Sequence, residues 1–288
     1  MGRKKNKKRQ QSNPQQSFST SMDVDAKLQQ AIPLYQAGQL QQAEQICQQI
    51  LKDFPQHADA LHLLGVIAHQ VGDYRIATSL ITQAIEIDSN QSSFFYNLGN
   101  VLGEQGRLEE SIEAYHQAIH LQPDHANAYN NLGIALQEQG RLEESIQAYQ
   151  QAIRIQPGHS NAYSNLGIIL KEQGRLEESI EAYHQAIHIR PDYADAYSNL
   201  GIALQEQGRL EESIQACQQA IRLQPDYADA YSNLGVALQE QGRLEESIEA
   251  YQKAIHIQPD HADAYNNLGL ALQEQGRLEE SIEAYHQA

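Results

Sequence analysis

Apolar residues recur along most of this chain at the spacing of one helical face. Within residues 126–159, Tyr129, Leu132, Gly133 and Leu136 fall at i, i+3, i+4 and i+7, and Leu142, Ile146, Tyr149 and Ile153 form a second such run. This predicts two amphipathic helices. Gly140 lies between the runs, where a helix can end in the left-handed conformation that glycine takes without strain. Glu143 and Glu144 open the second helix, at the positive end of its dipole. Pro157 stops it, because proline cannot continue a helix. In later copies of the pattern an Asp follows that proline and another stands three residues on (Asp192 and Asp195, Asp226 and Asp229), predicting an N-cap with a capping-box partner.

The pattern repeats. The segment EQGRLEESI begins at Glu104, Glu138, Glu172, Glu206, Glu240 and Glu274, each 34 residues after the last. A fixed period of this length predicts an array of helical hairpins, none of which can bury its apolar face alone. The repeats are 24–57, 58–91, 92–125, 126–159, 160–193, 194–227, 228–261 and an incomplete 262–288. Gly133 has no Cβ, so the helices of its hairpin are expected to approach closely there. The first two repeats are the degenerate end of the array. Ala31 replaces the glycine in the first, Ser89 replaces the closing proline in the second, and Ala43 and Ala77 stand where Ser111, Ser145, Ser179, Ser213, Ser247 and Ser281 follow. Pro33 falls inside the first predicted helix, where a kink or a late helix start is expected.

Tyr129, Leu132, Gly133, Leu136, Leu142, Ser145, Ile146, Tyr149, Ala152 and Pro157 hold the positions of the tetratricopeptide repeat, which the chain resembles over 24–288. The resemblance implies an all-α fold: a right-handed superhelical solenoid of helix-turn-helix repeats. Its concave surface would be lined by the first helices, at positions 2, 5, 6, 9, 12 and 13 of each repeat. Position 6 is Asn97, Asn131, Asn165, Asn199, Asn233 and Asn267 in six consecutive repeats. An asparagine side chain both donates and accepts, so such a row can grip the backbone of an extended peptide without reading its side chains. The other reading of the row is that it orders neighbouring helices or was copied by duplication. Position 9 (Ile134, Ile168, Ile202, Val236, Leu270) would set an apolar stripe beside the row. Asp25, Asp59, Asp195, Asp229 and Asp263, with Asn127 and Asn161, hold position 2, where a role at the helix start competes with ligand contact. The row is similar to the asparagine ladder of O-linked N-acetylglucosamine transferases, as is the stretch AYNNLGIALQEQG.

Charge sharpens the picture. Six basic residues crowd the start (Arg3, Lys4, Lys5, Lys7, Lys8, Arg9), leaving 14 basic and 36 acidic residues from position 24, a net of about −22. So acidic an array repels nucleic-acid phosphates, and nucleic acid is expected to engage, if at all, only the tail 1–23, which is polar and expected to be disordered. No run of 18 apolar residues predicts a membrane span, no secretory leader is recognisable, and Asn6 breaks a myristoylation motif at Gly2. Cys47 and Cys217 share one repeat position five repeats apart, beyond disulfide reach, and suit a reducing cytoplasm.

No catalytic constellation is recognised, and no cofactor or metal is expected. The pairs His116/His120 and His184/His188 lack a third and fourth ligand at a set spacing. Among the groove positions only Lys171 is cationic, so the carboxylate-clamping mode of some tetratricopeptide domains is excluded. The expected function is a protein-interaction scaffold binding an extended peptide or partner segment. The alternative is the substrate-recognition arm of a larger transferase, its catalytic domain outside this chain, since the eighth repeat stops short at Ala288.

Overall fold

The computed structural model describes residues 14–288, and those residues hold sixteen α-helices and no strand. They divide into two compact bodies, the first ending at Pro123 and the second spanning Asp124–Ala288.

The first body holds α1 (Pro14–Gln36), α2 (Leu40–Asp53), α3 (Ala58–Gln70), α4 (Tyr74–Ile87), α5 (Ser92–Glu104) and α6 (Leu108–Leu121). The second holds α7 (Ala126–Glu138), α8 (Leu142–Ile155), α9 (Ser160–Glu172), α10 (Leu176–Ile189), α11 (Ala194–Glu206), α12 (Leu210–Leu223), α13 (Ala228–Glu240), α14 (Leu244–Ile257), α15 (Ala262–Glu274) and α16 (Leu278–Gln287). Each odd-numbered helix forms an antiparallel hairpin with the even-numbered one after it. Two expectations meet α1. Its backbone is helical from Pro14 and runs through Pro33, so the helix has no late start there. Of the expected tail 1–23, residues 14–23 are helical, while residues 1–13, with the basic cluster, lie outside the described residues.

The hairpin turn is closed by backbone alone. Gly140 has φ +76° and donates to the Gln137 carbonyl, while the Arg141 N–H reaches back to the Leu136 carbonyl. This is a Schellman ending, and the glycines at Gly38, Gly72, Gly106, Gly174, Gly208, Gly242 and Gly276 repeat the positive φ. Arg141, at the start of α8, does not cap the helix with its side chain. It forks instead onto Glu144, with Nε–Oε1 2.7 Å and Nη2–Oε2 2.6 Å.

The other glycine of the repeat has a different task. A Cβ on Gly133 would stand 2.5 Å from Cε1 of Tyr149, whose side chain is fully buried in the facing helix. Gly167 meets Tyr183 and Gly235 meets Tyr251 in the same way. Beside this contact Ser145 Oγ donates to the Gly133 carbonyl at 2.7 Å, as Ser179 does to Gly167 and Ser213 to Gly201. The serine is therefore a buried donor as well as a small residue.

Within the second body the core runs on from one repeat to the next. Ile146 and Tyr149 of one repeat cluster with Leu166, Ile169, Leu170 and Ala182 of the next, and Ile180 and Tyr183 then do the same with Leu200, Ala203, Leu204 and Ala216. Cys47 and Cys217 are free, buried thiols, pushed up to about 11 and about 12 chiefly by desolvation, so neither is poised as a thiolate.

Gly133→Ala is expected to destabilise the array by about 1–3 kcal/mol through overpacking, and Gly140→Ala by about 1–2 kcal/mol through the left-handed backbone. Asparagine tolerates a positive φ but not a crowded helix contact. Urea unfolding should therefore show Gly140→Asn to be milder than Gly140→Ala and Gly133→Asn to be worse than Gly133→Ala.

Candidate functional site

In the second body the first helices of successive repeats touch (α7 with α9, α9 with α11, α11 with α13, α13 with α15), whereas the second helices do not approach one another. The body is therefore tighter on the side of the first helices, and their outward-facing residues line its inner face.

The expected residues lie on that face. Asn131, Asn165, Asn199, Asn233 and Asn267 follow one another along α7, α9, α11, α13 and α15, each half-buried. Asn97 is half-buried on α5 in the first body. Ile134 and Leu270 are 38% and 46% exposed, while Ile168 and Val236 are half-buried and also pack on the core that their repeat shares with the following one. An open cleft of about 390 Å³ brings Asn199, Asn233 and Asn267 together with Ile202 and Val236. Ser198, Ser232, Tyr227, His261, Asp229 and Asp263 complete its lining.

Part of the asparagine row also ties repeats together. Asn165 Nδ2 donates to Asn130 Oδ1 at 3.1 Å, and Asn233 Nδ2 to Ser198 Oγ at 3.0 Å, each reaching position 5 of the preceding repeat. In the first body Asn97 Nδ2 donates to His62 Nε2 at 2.8 Å by the same rule. Asn131 Oδ1 accepts from its neighbour Asn130. Asn199 and Asn267 make no such wall bond among the described residues, which leaves their amides for the cleft. The ordering of neighbouring helices therefore falls to some members of the row and not to others.

The helix starts differ from expectation. The N-cap position before each first helix is the last residue of the preceding repeat, not the Asp that follows the proline. His57, His125, His159 and His261 accept the N–H of the third helical residue on Nδ1, and Tyr193 and Tyr227 make no side-chain cap. Asp192 and Asp226 thus fall one residue short of capping, and Asp195 and Asp229 sit in the first turn. The same cap residues meet position 2. Because His159 Nδ1 accepts from the backbone, its ring proton is on Nε2 and is donated to Asn127 Oδ1 at 3.0 Å. His261 Nε2 stands 3.2 Å from Asp229 Oδ1, an electrostatic contact rather than an aligned hydrogen bond. The Tyr227 phenol is raised well above its ordinary range, by burial first and then by the charge of Asp195.

A second acidic row closes the far ends of the first helices. Glu172 accepts from Gln137 and Glu274 from Gln239, Lys171 pairs with Glu206 at 3.5 Å, and in the first body His69 Nε2 meets Glu104 at 3.0 Å. On the outer side Gln207 donates to Glu177, and Gln275 to Glu245, at 2.8 Å. Periodicity marks these residues, but only the stacked structure shows that they link one repeat to the next. The histidines of the two i, i+4 pairs, His116, His120, His184 and His188, are exposed. No described helix is long and apolar enough to cross a membrane.

Sequence models of the tetratricopeptide repeat match residues 34–100, 96–160 and 148–181, and a TPR-repeat model matches 167–208, 205–242 and 238–276. The chain belongs to the tetratricopeptide repeat family. No curated protein matches it. Among solved structures it is similar to YrrB, described as a TPR protein with an unusual peptide-binding site. The identity is 26%, covering 65% of this chain and 97% of YrrB with a TM-score of 0.54. MamA is 29% identical over 54% of this chain and 91% of its own, with a TM-score of 0.50. The Cut9–Hcn1 assembly of APC/C is 16% identical over 84% of this chain and 48% of its own, with a TM-score of 0.70, and shows likeness of fold alone.

One site residue carries a pH dependence. His62 stacks on Phe94 with centroids 4.3 Å apart and accepts from Asn97, and burial pulls it down to about 4 from an ordinary 6.5. Between those values the unfolded chain takes up the proton and the folded chain does not. Stability is therefore full above about 6.5 and falls as the pH drops toward about 4, by at most about 3 kcal/mol. His62→Asn keeps an acceptor for Asn97 and removes the titration. Denaturant titrations from pH 7 to pH 4 should show a smaller loss in this variant, and equal losses would exclude His62 as the source.

Proposed function

We propose that the protein is an interaction scaffold that binds an extended segment of a partner protein along the inner face of its first helices. The observation that carries this reading is the cleft in which Asn199, Asn233 and Asn267 lie beside Ile202 and Val236. An extended peptide needs partners for its backbone N–H and C=O groups and shallow apolar seats for its side chains. The amides of Asn199 and Asn267, unclaimed by the wall, meet the first need, and Ile202 and Val236 the second. The same residue types recur along the face at Asn131, Asn165, Ile134, Ile168 and Leu270, so binding extends over several repeats. The likeness to YrrB, with its peptide-binding site, agrees with this use of the fold. The chemistry proposed is recognition only, and the protein is read as acting in the cytoplasm.

Asn199→Ala with Asn267→Ala tests the reading without cutting a bond between repeats. Captured partners from a lysate should be lost with the double variant and retained with Glu249→Ala on an outer helix, while helicity and thermal unfolding stay unchanged. Equal recovery with both variants would remove the groove from consideration.

A further inference from the structure

We propose that the bound segment is basic and adopts a polyproline II conformation, placing a lysine or arginine at every third position against repeats six to eight. The inference rests on the groove reading above and names the chemistry of its occupant.

Charge is the first observation. Asp229 and Asp263 line the cleft, and its lining contains no lysine or arginine. Asp195 holds the same position one repeat earlier and is exposed, like Asp229 and Asp263. At the other end of the same helices Glu240 and Glu274, which accept only from neutral glutamines, and Glu206, paired with Lys171, form the second acidic row. A segment lying between the rows meets negative charge on both sides. Within the second body, Asn127 and Asn161 take the place of the aspartates in repeats four and five, so there the charge at position 2 is concentrated where the cleft lies.

Spacing is the second. The first helices of successive repeats are in direct contact, and packed helices lie about 8–10 Å apart. A polyproline II chain rises about 3.1 Å per residue and turns every three, so it presents the same face about every 9 Å. A β-strand alternates faces every two residues, and after three it would turn the opposite side to the next repeat. Polyproline II also makes no internal hydrogen bonds, which leaves its backbone groups free for Asn199 and Asn267.

The natural repeats supply the control. Asn127 accepts from His159 where Asp229 faces His261, so asparagine fits at position 2 without loss of the local contact. The triple variant Asp195→Asn, Asp229→Asn, Asp263→Asn should therefore fold normally. Its unfolding curve is the check.

The test is fluorescence anisotropy of the full chain with labelled synthetic peptides of tandem Lys-Ala-Pro triplets, against peptides with Gln-Ala-Pro and with Lys-Ala-Ala-Pro units. The lysine triplets should bind best and weaken as salt rises. The triple variant should bind them about 10-fold less tightly, the sum of three partly screened ion pairs. Equal affinity for the glutamine triplets, or an unchanged affinity in the triple variant, would overturn the basic occupant. Equal affinity for the four-residue spacing would overturn the register. If the glutamine triplets bind as well and Asn199→Ala with Asn267→Ala abolishes that binding, the groove stands and only this inference fails. No binding of any peptide overturns it as well.

Discussion

Within the second body, the second helix of a repeat completes the burial of its apolar face by packing against the repeat that follows. Ile146 and Tyr149 are closed by Leu166, Ile169 and Leu170, which belong to the next hairpin. This sharing makes the hairpin an incomplete folding unit and the row of hairpins a continuous core. It also brings the first helices of successive repeats into contact, and that contact creates the inner face. The close approach within each hairpin supports the same arrangement. Gly133 lets Tyr149 reach full burial, and Ser145 secures the contact by donating to the glycine carbonyl.

Polar wiring is laid over this core at the repeat period. The recurring segment EQGRLEES looks like a solvated surface, yet most of its side chains have a partner. Its arginine holds a glutamate three residues on, its glutamine reaches the preceding repeat, and its first glutamate accepts from the preceding first helix. Each of these exposed contacts adds little by itself. The glutamine and first-glutamate contacts, repeated along the array, join each hairpin to its neighbour, while the arginine fork stays within one hairpin.

The inner face carries two kinds of residue that sequence alone does not separate. Asn165 and Asn233 bond to the preceding repeat and order the wall, whereas Asn199 and Asn267, at the same repeat position, do not. The division follows from neighbours. Asn130 and Ser198 accept across the gap, whereas Ser164 and Ser232, the equivalent neighbours of Asn199 and Asn267, do not. Proposed ligand contact and structural support are thus distributed along one row.

The period, the helix pairs, the left-handed glycines and the close contact at Gly133 were all legible in the residues. Each is local, or repeats so regularly that its partner lies a constant number of positions away. The position of the asparagine row was legible for the same reason. Sequence misjudged the helix caps, because Asp192 and Asp226 look better suited than the His or Tyr beside them, and the turn geometry decides which residue holds the capping position. It left open which asparagines bond to the preceding repeat, what the serine hydroxyls bond, and that His62 stacks on Phe94 and accepts from Asn97. Those outcomes depend on contacts between repeats, where side-chain reach and burial, rather than spacing along the chain, determine the partner.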